Sequence, residues 1–108
     1  MPDTVREVFD EIPKHFDSAA WGSQDAVLQF KITGEQGGEW TATIQNGQIK
    51  ISEGTVADAS MTMTTSDADM LAMVNGDLNA VSAFMQGKVR IDGDMALAMK
   101  LQNLLSSR

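Results

Sequence analysis

Asn46-Gly47 stands between two runs in which apolar and polar residues alternate, and this arrangement constrains the fold more than any other feature of the chain. An Asn-Gly pair accepts positive φ at both central positions of a type I′ turn, whose twist matches that of the strands it joins. Before it, Trp40, Ala42 and Ile44 alternate with Glu39, Thr41, Thr43 and Gln45, and after it Ile49 and Ile51 keep the same period. Successive side chains on a strand point to opposite faces, so each run predicts a strand with one buried face. An earlier run, Ala26, Leu28, Phe30 and Ile32 against Val27, Gln29, Lys31 and Thr33, has the same pattern and leads into Gly34-Glu35-Gln36-Gly37-Gly38, a flexible turn. The three runs together predict a meander.

The flanks carry the helical period instead. Val5, Val8, Phe9 and Ile12 share one helix face, with Asp3 or Thr4 as cap. Proline costs about 3 kcal/mol in a helix interior, so Pro13 predicts a break near Ile12 and a short second turn containing His15 and Phe16. Trp21 to Asp25 reads as a connector. A fourth strand, Ala59 to Thr64, places Ala59, Met61 and Met63 on one face. Ser66 then caps a helix by accepting a backbone N–H near Asp69. Met70, Leu71, Met73 and Val74 share one side of that helix, and Asn75-Gly76 stops it. A second short helix sets Leu78, Val81, Phe84 and Met85 on one stripe before Gly87. Lys88 to Asp92 is the fifth strand, contributing Val89 and Ile91, and a final helix runs from Gly93 to about Leu105. These elements predict a single α+β domain over residues 1–108: a five-stranded, mostly antiparallel sheet with one crossover and helices packed on one face. The other face, rich in Thr, Gln and Lys, is expected to be solvated or to lie in a dimer contact.

Composition narrows the function. Fifteen acidic residues against eight basic ones give a net charge of −7, which repels nucleic acid, since binding it needs clustered Lys and Arg to displace counterions. The same sign opposes recruitment to an anionic bilayer, so membrane contact is expected to be transient at most. The longest apolar run, Met95 to Met99, falls far short of the roughly 20 residues a membrane span needs. The acidic N-terminus does not read as a secretory signal, and a cytoplasmic location is expected. With no Cys, disulfides, thiolate nucleophiles and Cys-ligated metals are excluded. His15 is the sole near-neutral base and has no identifiable orienting partner, so no catalytic residue is assigned. Asp10-Glu11, Asp67/Asp69 and Asp92/Asp94 fall at helix starts or on polar faces, and no metal or cofactor is assigned to them. The glycines of 34–38 join two strands, whereas a phosphate-cradling loop joins a strand to a helix N-terminus. The chain is therefore expected not to be an enzyme.

Methionine is the residue that stands out. Met61, Met63, Met70, Met73, Met85, Met95 and Met99 all fall in the second half of the chain. Met is flexible and polarizable, so it fills irregular space and adapts to varied apolar guests, although the plain reading is ordinary core. The last helix tips the balance. At about 100° per residue from Met95, a stripe of Leu97, Ala98, Leu101, Leu104 and Leu105 occupies roughly 180–300°, while Met95 and Met99 lie near 0° and 40°. A helix apolar on two sides must bury both, one against the core and the other against a cavity, a partner or a ligand. The converging methionines predict an adaptable apolar pocket whose natural guest is a lipid.

The run from Phe84 to Leu105, FMQGKVRIDGDMALAMKLQNLL, resembles the closing pattern of the sterol carrier protein 2 family. An aromatic precedes Gly87-Lys88, a basic-apolar alternating strand follows, then Gly93-Asp94 and Leu97 to Leu101 in the last helix. The meander from Val27 to Gly54, with Trp40, Asn46-Gly47 and Glu53-Gly54, is similar to the family's first three strands. The resemblance implies an apolar tunnel between sheet and helices that holds fatty acids, acyl-CoA, phospholipids or sterols non-covalently. On that reading Met63, Met70, Met73, Val74, Phe84, Met85, Met95 and Met99 line the tunnel, and Phe30, Ile32 and Trp40 form its sheet-side floor. Animal members resemble transfer proteins with a basic N-terminal region and a peroxisomal tripeptide ending in Leu. Here the first helix is acidic and the chain ends Ser106-Ser107-Arg108, closer to the stand-alone prokaryotic pattern, so neither peroxisomal targeting nor electrostatic docking is expected. The alternative is a homodimeric interaction module whose apolar surplus, with Met95 and Met99 at the contact, closes a protein interface; monomer and homodimer are both compatible with the sequence.

Overall fold

A computed structural model describes residues 4–16, 21, 22, 25–94, 96, 97 and 100, leaving aside the side chains of His15 and Ala80. Helix α1 (Val5–His15) precedes strands β1 (Ala26–Thr33), β2 (Gly38–Gln45), β3 (Gln48–Glu53) and β4 (Met61–Ser66); helices α2 (Asp67–Val74) and α3 (Ala80–Met85) and strand β5 (Val89–Gly93) follow. Thr4 caps α1, its hydroxyl accepting the Glu7 amide at 3.2 Å. The expected break at Pro13 does not occur, because proline's cost belongs to a helix interior. Pro13 is exposed and third from the end, so the ring faces solvent and little helix follows it. Of the expected last helix, Ala96, Leu97 and Lys100 are helical. Its remaining positions, Met95 and Met99 among them, lie outside the described residues.

The sheet has the order β3-β2-β1-β4-β5, with β1 and β4 parallel and the other three pairings antiparallel. Asn46 and Gly47, at φ 56° and 76°, make the β2–β3 turn that their residue types require. In the central register Leu28 lies between Ala42 and Met61, and Phe30 between Trp40 and Met63. One sheet face therefore presents Leu28, Phe30, Ile32, Trp40, Ala42, Ile44, Met61 and Met63, all buried, to the helices. Helix α1 packs against α2 and β3, α2 against β4 and β1, and α3 against β5.

The polar face departs from the expectation that every strand buries one side only. Gln29 and Thr41, 2% and 4% exposed, point away from the helices and are covered by residues 54–60, the crossover from β3 to β4. That crossover passes β2 and β1, three strand spacings or about 14 Å in all. Gln29 anchors it: its Nε2 donates to the carbonyls of Trp40 at 3.1 Å and Gly54 at 3.2 Å, and its Oε1 accepts the Val56 amide at 2.9 Å. The Thr41 hydroxyl lies 2.9 Å from the Gly54 carbonyl. A chain laid over a sheet carries backbone groups that must find partners, and two polar side chains supply them. At the far end Ser60 donates its amide to the Val27 carbonyl at 2.7 Å, leading the chain into β4 beside β1. Gly93 closes over this point at φ 105°, where a Cβ would stand 2.6 Å from the Ser60 carbonyl oxygen.

Candidate functional site

The helix-facing side of the sheet has an aromatic end and a methionine end. At the aromatic end Phe9 of α1 stacks on Trp40, with centroids 4.6 Å apart and planes at 10°, and meets Phe30 edge-on at 5.2 Å. Such contacts fix α1 over β1 and β2 more specifically than aliphatic burial would. At the methionine end Met61 and Met63 rise from β4 beneath Met70, Met73 and Val74 of α2, and all five are buried in one cluster. Sulfur-bearing, unbranched side chains thus meet across the sheet–helix seam, the place where shape can change at least cost.

Helix α2 is held over the sheet by its N-terminus. Ser66 Oγ accepts the Asp69 amide at 3.1 Å, the cap expected from the sequence. Asp67 reaches across to the β1–β2 loop and accepts the Gln36 amide at 3.1 Å, while Gln36 Oε1 accepts the Val5 amide of α1 at 3.1 Å. The glycine-rich loop thus ties α1 to α2. Gly34, at φ 105°, suits the loop because L side chains rarely adopt that conformation, and it leaves room for the Asp67 carboxylate, from which a Cβ would stand 2.5 Å.

Of the residues expected to line a tunnel, Phe30, Ile32, Trp40, Met63, Met70, Met73 and Val74 come together in this buried cluster. Phe84 and Met85 do not join it. They are 41% and 80% exposed, and Val81 of the same expected stripe is 38% exposed. The reason lies in Ala83, fully buried against the core: the small side chain lets α3 approach β5, which turns Val81, Phe84 and Met85 outward. Met95 and Met99 lie outside the described residues. Leu97 is buried, as its place on the expected core stripe requires, and Lys100 Nζ donates to the Trp21 carbonyl at 3.0 Å while lying 5.1 Å from the centre of that indole ring.

A cleft of about 270 Å³ opens between α1 and the β2–β3 edge, lined by Arg6, Phe9, Asp10, Pro13, Trp40, Ile51 and Glu53. Arg6 and Glu53 pair across it, both well exposed. Sequence reasoning missed this cleft, although Arg6, Asp10 and Pro13 at i, i+4 and i+7 mark a helix face adjoining the apolar one. Among the described residues no three of His, Asp and Glu converge to hold a metal. The Asp67 and Asp94 carboxylates serve backbone amides, Asp94 accepting that of Ala96 at 2.8 Å. No helix among the described residues is long and apolar enough to cross a membrane.

Comparison with known proteins agrees with the architecture. The chain is 38% identical over 105 residues to sterol carrier protein 2 of Oryctolagus cuniculus, covering 90% of this chain and 19% of that protein. It is 34% identical over 104 residues to hydroxysteroid dehydrogenase-like protein 2 of Xenopus tropicalis, covering 94% of this chain and 24% of the other. The chain thus spans about a fifth to a quarter of the length of these curated relatives. Among solved structures, that of palmitated SCP2L2 from Aedes aegypti superposes with a TM-score of 0.76 at 26% identity, covering 95% of each chain. Residues 11–106 match the model of the SCP-2 sterol transfer family, and the chain belongs to that family.

Proposed function

We propose that this domain binds one long-chain lipid reversibly and non-covalently between its sheet and its helices, and catalyses no reaction. The observation that carries the reading is the likeness, over 95% of both chains, to a family member whose structure was determined with palmitate. The proposed lining is Phe30, Ile32, Trp40, Met63, Met70, Met73 and Val74, whose side chains meet in one cluster, joined on the sequence pattern by Met95 and Met99. Fatty acids, acyl-CoA, phospholipids and sterols are the candidate guests, and a cytoplasmic shuttle or store is the proposed setting.

Removing a chain of about sixteen carbons from water gains on the order of 13 kcal/mol, at about 0.8 kcal/mol per methylene. Lost ligand freedom and ordering take back roughly 4 kcal/mol or more. About 8 kcal/mol corresponds to micromolar affinity, the range expected of a carrier that must also let go. Flexible methionines favour this outcome, because they accommodate chains of different length with little penalty, so weak discrimination among acyl chains is expected. The test is titration with a fluorescent fatty acid, joined to mass spectrometry of small molecules extracted from gently purified protein. Saturable binding displaced by palmitate, and weakened strongly by Met95→Asp, supports the reading. Absence of saturable binding to fatty acid, acyl-CoA, phospholipid and sterol probes alike overturns it.

A further inference from the structure

The chain contains two Asn-Gly pairs, Asn46-Gly47 and Asn75-Gly76, and the fold holds them in opposite ways. The backbone amide that follows an asparagine is a latent nucleophile toward the carbonyl carbon of that asparagine's side chain, and a following glycine leaves its nitrogen unshielded. In a folded protein the reaction depends on whether that amide is free and on what must open to bring the two atoms together.

Asn46 and Gly47 form the exposed tip of the β2–β3 hairpin, at φ 56° and 76°. Among the described residues, no hydrogen bond uses the Gly47 amide or the Asn46 carboxamide, while the Asn46 amide donates to Asp25 Oδ1 at 3.3 Å. Rotation at the tip disturbs that bond and the pairing of Gln45 with Gln48 at the end of the register, and leaves the rest of the ladder in place.

Asn75-Gly76 is bonded throughout. Asn75 ends α2 at φ −82° and ψ 0°. Its amide donates to the Leu71 carbonyl at 2.9 Å, and the Gly76 amide, the nucleophile at this pair, donates to the Met73 carbonyl at 3.3 Å. The next two amides, of Asp77 and Leu78, both donate to the Ala72 carbonyl, at 2.8 and 3.1 Å. The segment therefore cannot turn until the end of the helix opens.

We propose that Asn46 is a modification site, at which the folded protein deamidates spontaneously, and that the helix cap spares Asn75. The Gly47 nitrogen gives up its proton to solvent base and bonds to Asn46 Cγ; the Cγ–Nδ2 bond breaks and ammonia leaves. Water then adds to either carbonyl carbon of the cyclic imide, breaking its bond to nitrogen, and an aspartyl or an isoaspartyl residue results. One water is consumed, one ammonia is released, and nothing is oxidised or reduced. Both products act on β3. Each sets a new carboxylate beside Asp25, whose own carboxylate holds the turn, and like charges repel. The isoaspartyl form also lengthens the main chain by a methylene, which a two-residue type I′ turn cannot hold without splaying its strands. Strand β3 lies at the sheet edge and pairs with β2 alone, so a loosened turn frees it from the Gln48 end.

The test is incubation of the intact folded chain in mildly alkaline buffer, with the same chain in urea as reference, followed by peptide mapping by mass spectrometry. In the folded chain, conversion at position 46 is expected to exceed that at position 75 by about tenfold or more, because the cap must open locally before it reacts. In urea the two positions, each followed by glycine, are expected to react within about threefold of each other. Labelling with an isoaspartyl methyltransferase identifies the isomer, and the β3 amides of the isoaspartyl form are expected to exchange hydrogen faster while those of β1 and β4 do not change. Conversion at position 75 as fast as at position 46 in the folded chain overturns the proposal. So does a folded chain still intact at position 46 after an interval ample for full conversion in urea. Unchanged β3 exchange in the isoaspartyl form overturns the effect on the edge strand.

Discussion

Gln29→Leu tests what holds the sheet in its order. The substitution keeps size and burial but removes every hydrogen bond the amide makes on the polar face. Gln29 Nε2 donates to the Trp40 and Gly54 carbonyls at 3.1 and 3.2 Å, and Oε1 accepts from Val56 at 2.9 Å. Thr41 still reaches the Gly54 carbonyl, at 2.9 Å, so two groups are left without this partner: the Trp40 carbonyl and the Val56 amide. The Trp40 carbonyl keeps its place in the β1–β2 ladder and Val56 is 40% exposed, so the loss falls short of two buried orphans; with the apolar gain of leucine offsetting part of it, about 1–3 kcal/mol is expected. In a domain of this size that lowers Tm by roughly 5–20 °C. Urea denaturation gives the energy, and amide hydrogen exchange locates it: the Val56 amide should lose protection before the central strands do. Combined with Thr41→Val, the cycle should show coupling of at least about 0.5 kcal/mol, since both side chains serve the Gly54 carbonyl. A loss under about 0.5 kcal/mol with Val56 exchange unchanged would refute the assignment of Gln29 as the anchor of the crossover.

Two further outcomes follow from the local geometry. Ser66→Ala should cost about 1 kcal/mol in urea denaturation, because the Asp69 amide at the start of α2 loses its acceptor. Arg6→Ala, which removes an ion pair whose side chains are 67% and 61% exposed, should change stability by less than about 0.5 kcal/mol, with the difference vanishing at high salt. A larger, salt-independent loss would mean that the arginine stem, rather than its charge, covers the cleft between α1 and β3.

Local rules carried much of the fold. The Asn46-Gly47 turn, the Ser66 cap and the Asn75-Gly76 stop each follow from a residue type that one backbone conformation demands, and each is observed. What escaped the sequence depends on contacts between distant segments. Gln29 reads as a solvated strand residue by its alternation; only the passage of residues 54–60 over it makes it buried. Periodicity also fails on short elements. The sequence sets Leu78, Val81, Phe84 and Met85 on a plausible apolar stripe, but α3 has only six residues and begins after Leu78, and the side facing β5 was decided by Ala83, whose small volume permits close approach. The cleft by α1 was missed because it is bounded by charged residues and a proline, which patterning assigns to solvent or to a helix end.

The two faces of the sheet divide the work between specificity and tolerance. On the polar face, directional hydrogen bonds from Gln29 and Thr41 fix the crossover, and with it the parallel placement of β4 beside β1. A one-residue slip of β4 would turn Met61 and Met63 to the wrong side and strand Thr62 and Thr64 in the core, so register there is strongly specified. Directional bonds are costly to misplace, whereas methionine packing is cheap to rearrange. Because topology is secured on the face away from the helices, the seam between β4 and α2 does not need jigsaw packing to keep the chain in one fold. It can therefore be built from Met61, Met63, Met70 and Met73, unbranched side chains suited to reshaping around the guest proposed above. The same division predicts that conservative swaps at these methionines, such as Met73→Leu, alter ligand preference at a stability cost below about 1.5 kcal/mol, while a like-sized swap at Gln29 does the reverse. Fatty-acid titration and urea denaturation of both variants read the two effects separately, and a matched loss of stability in both would refute the division.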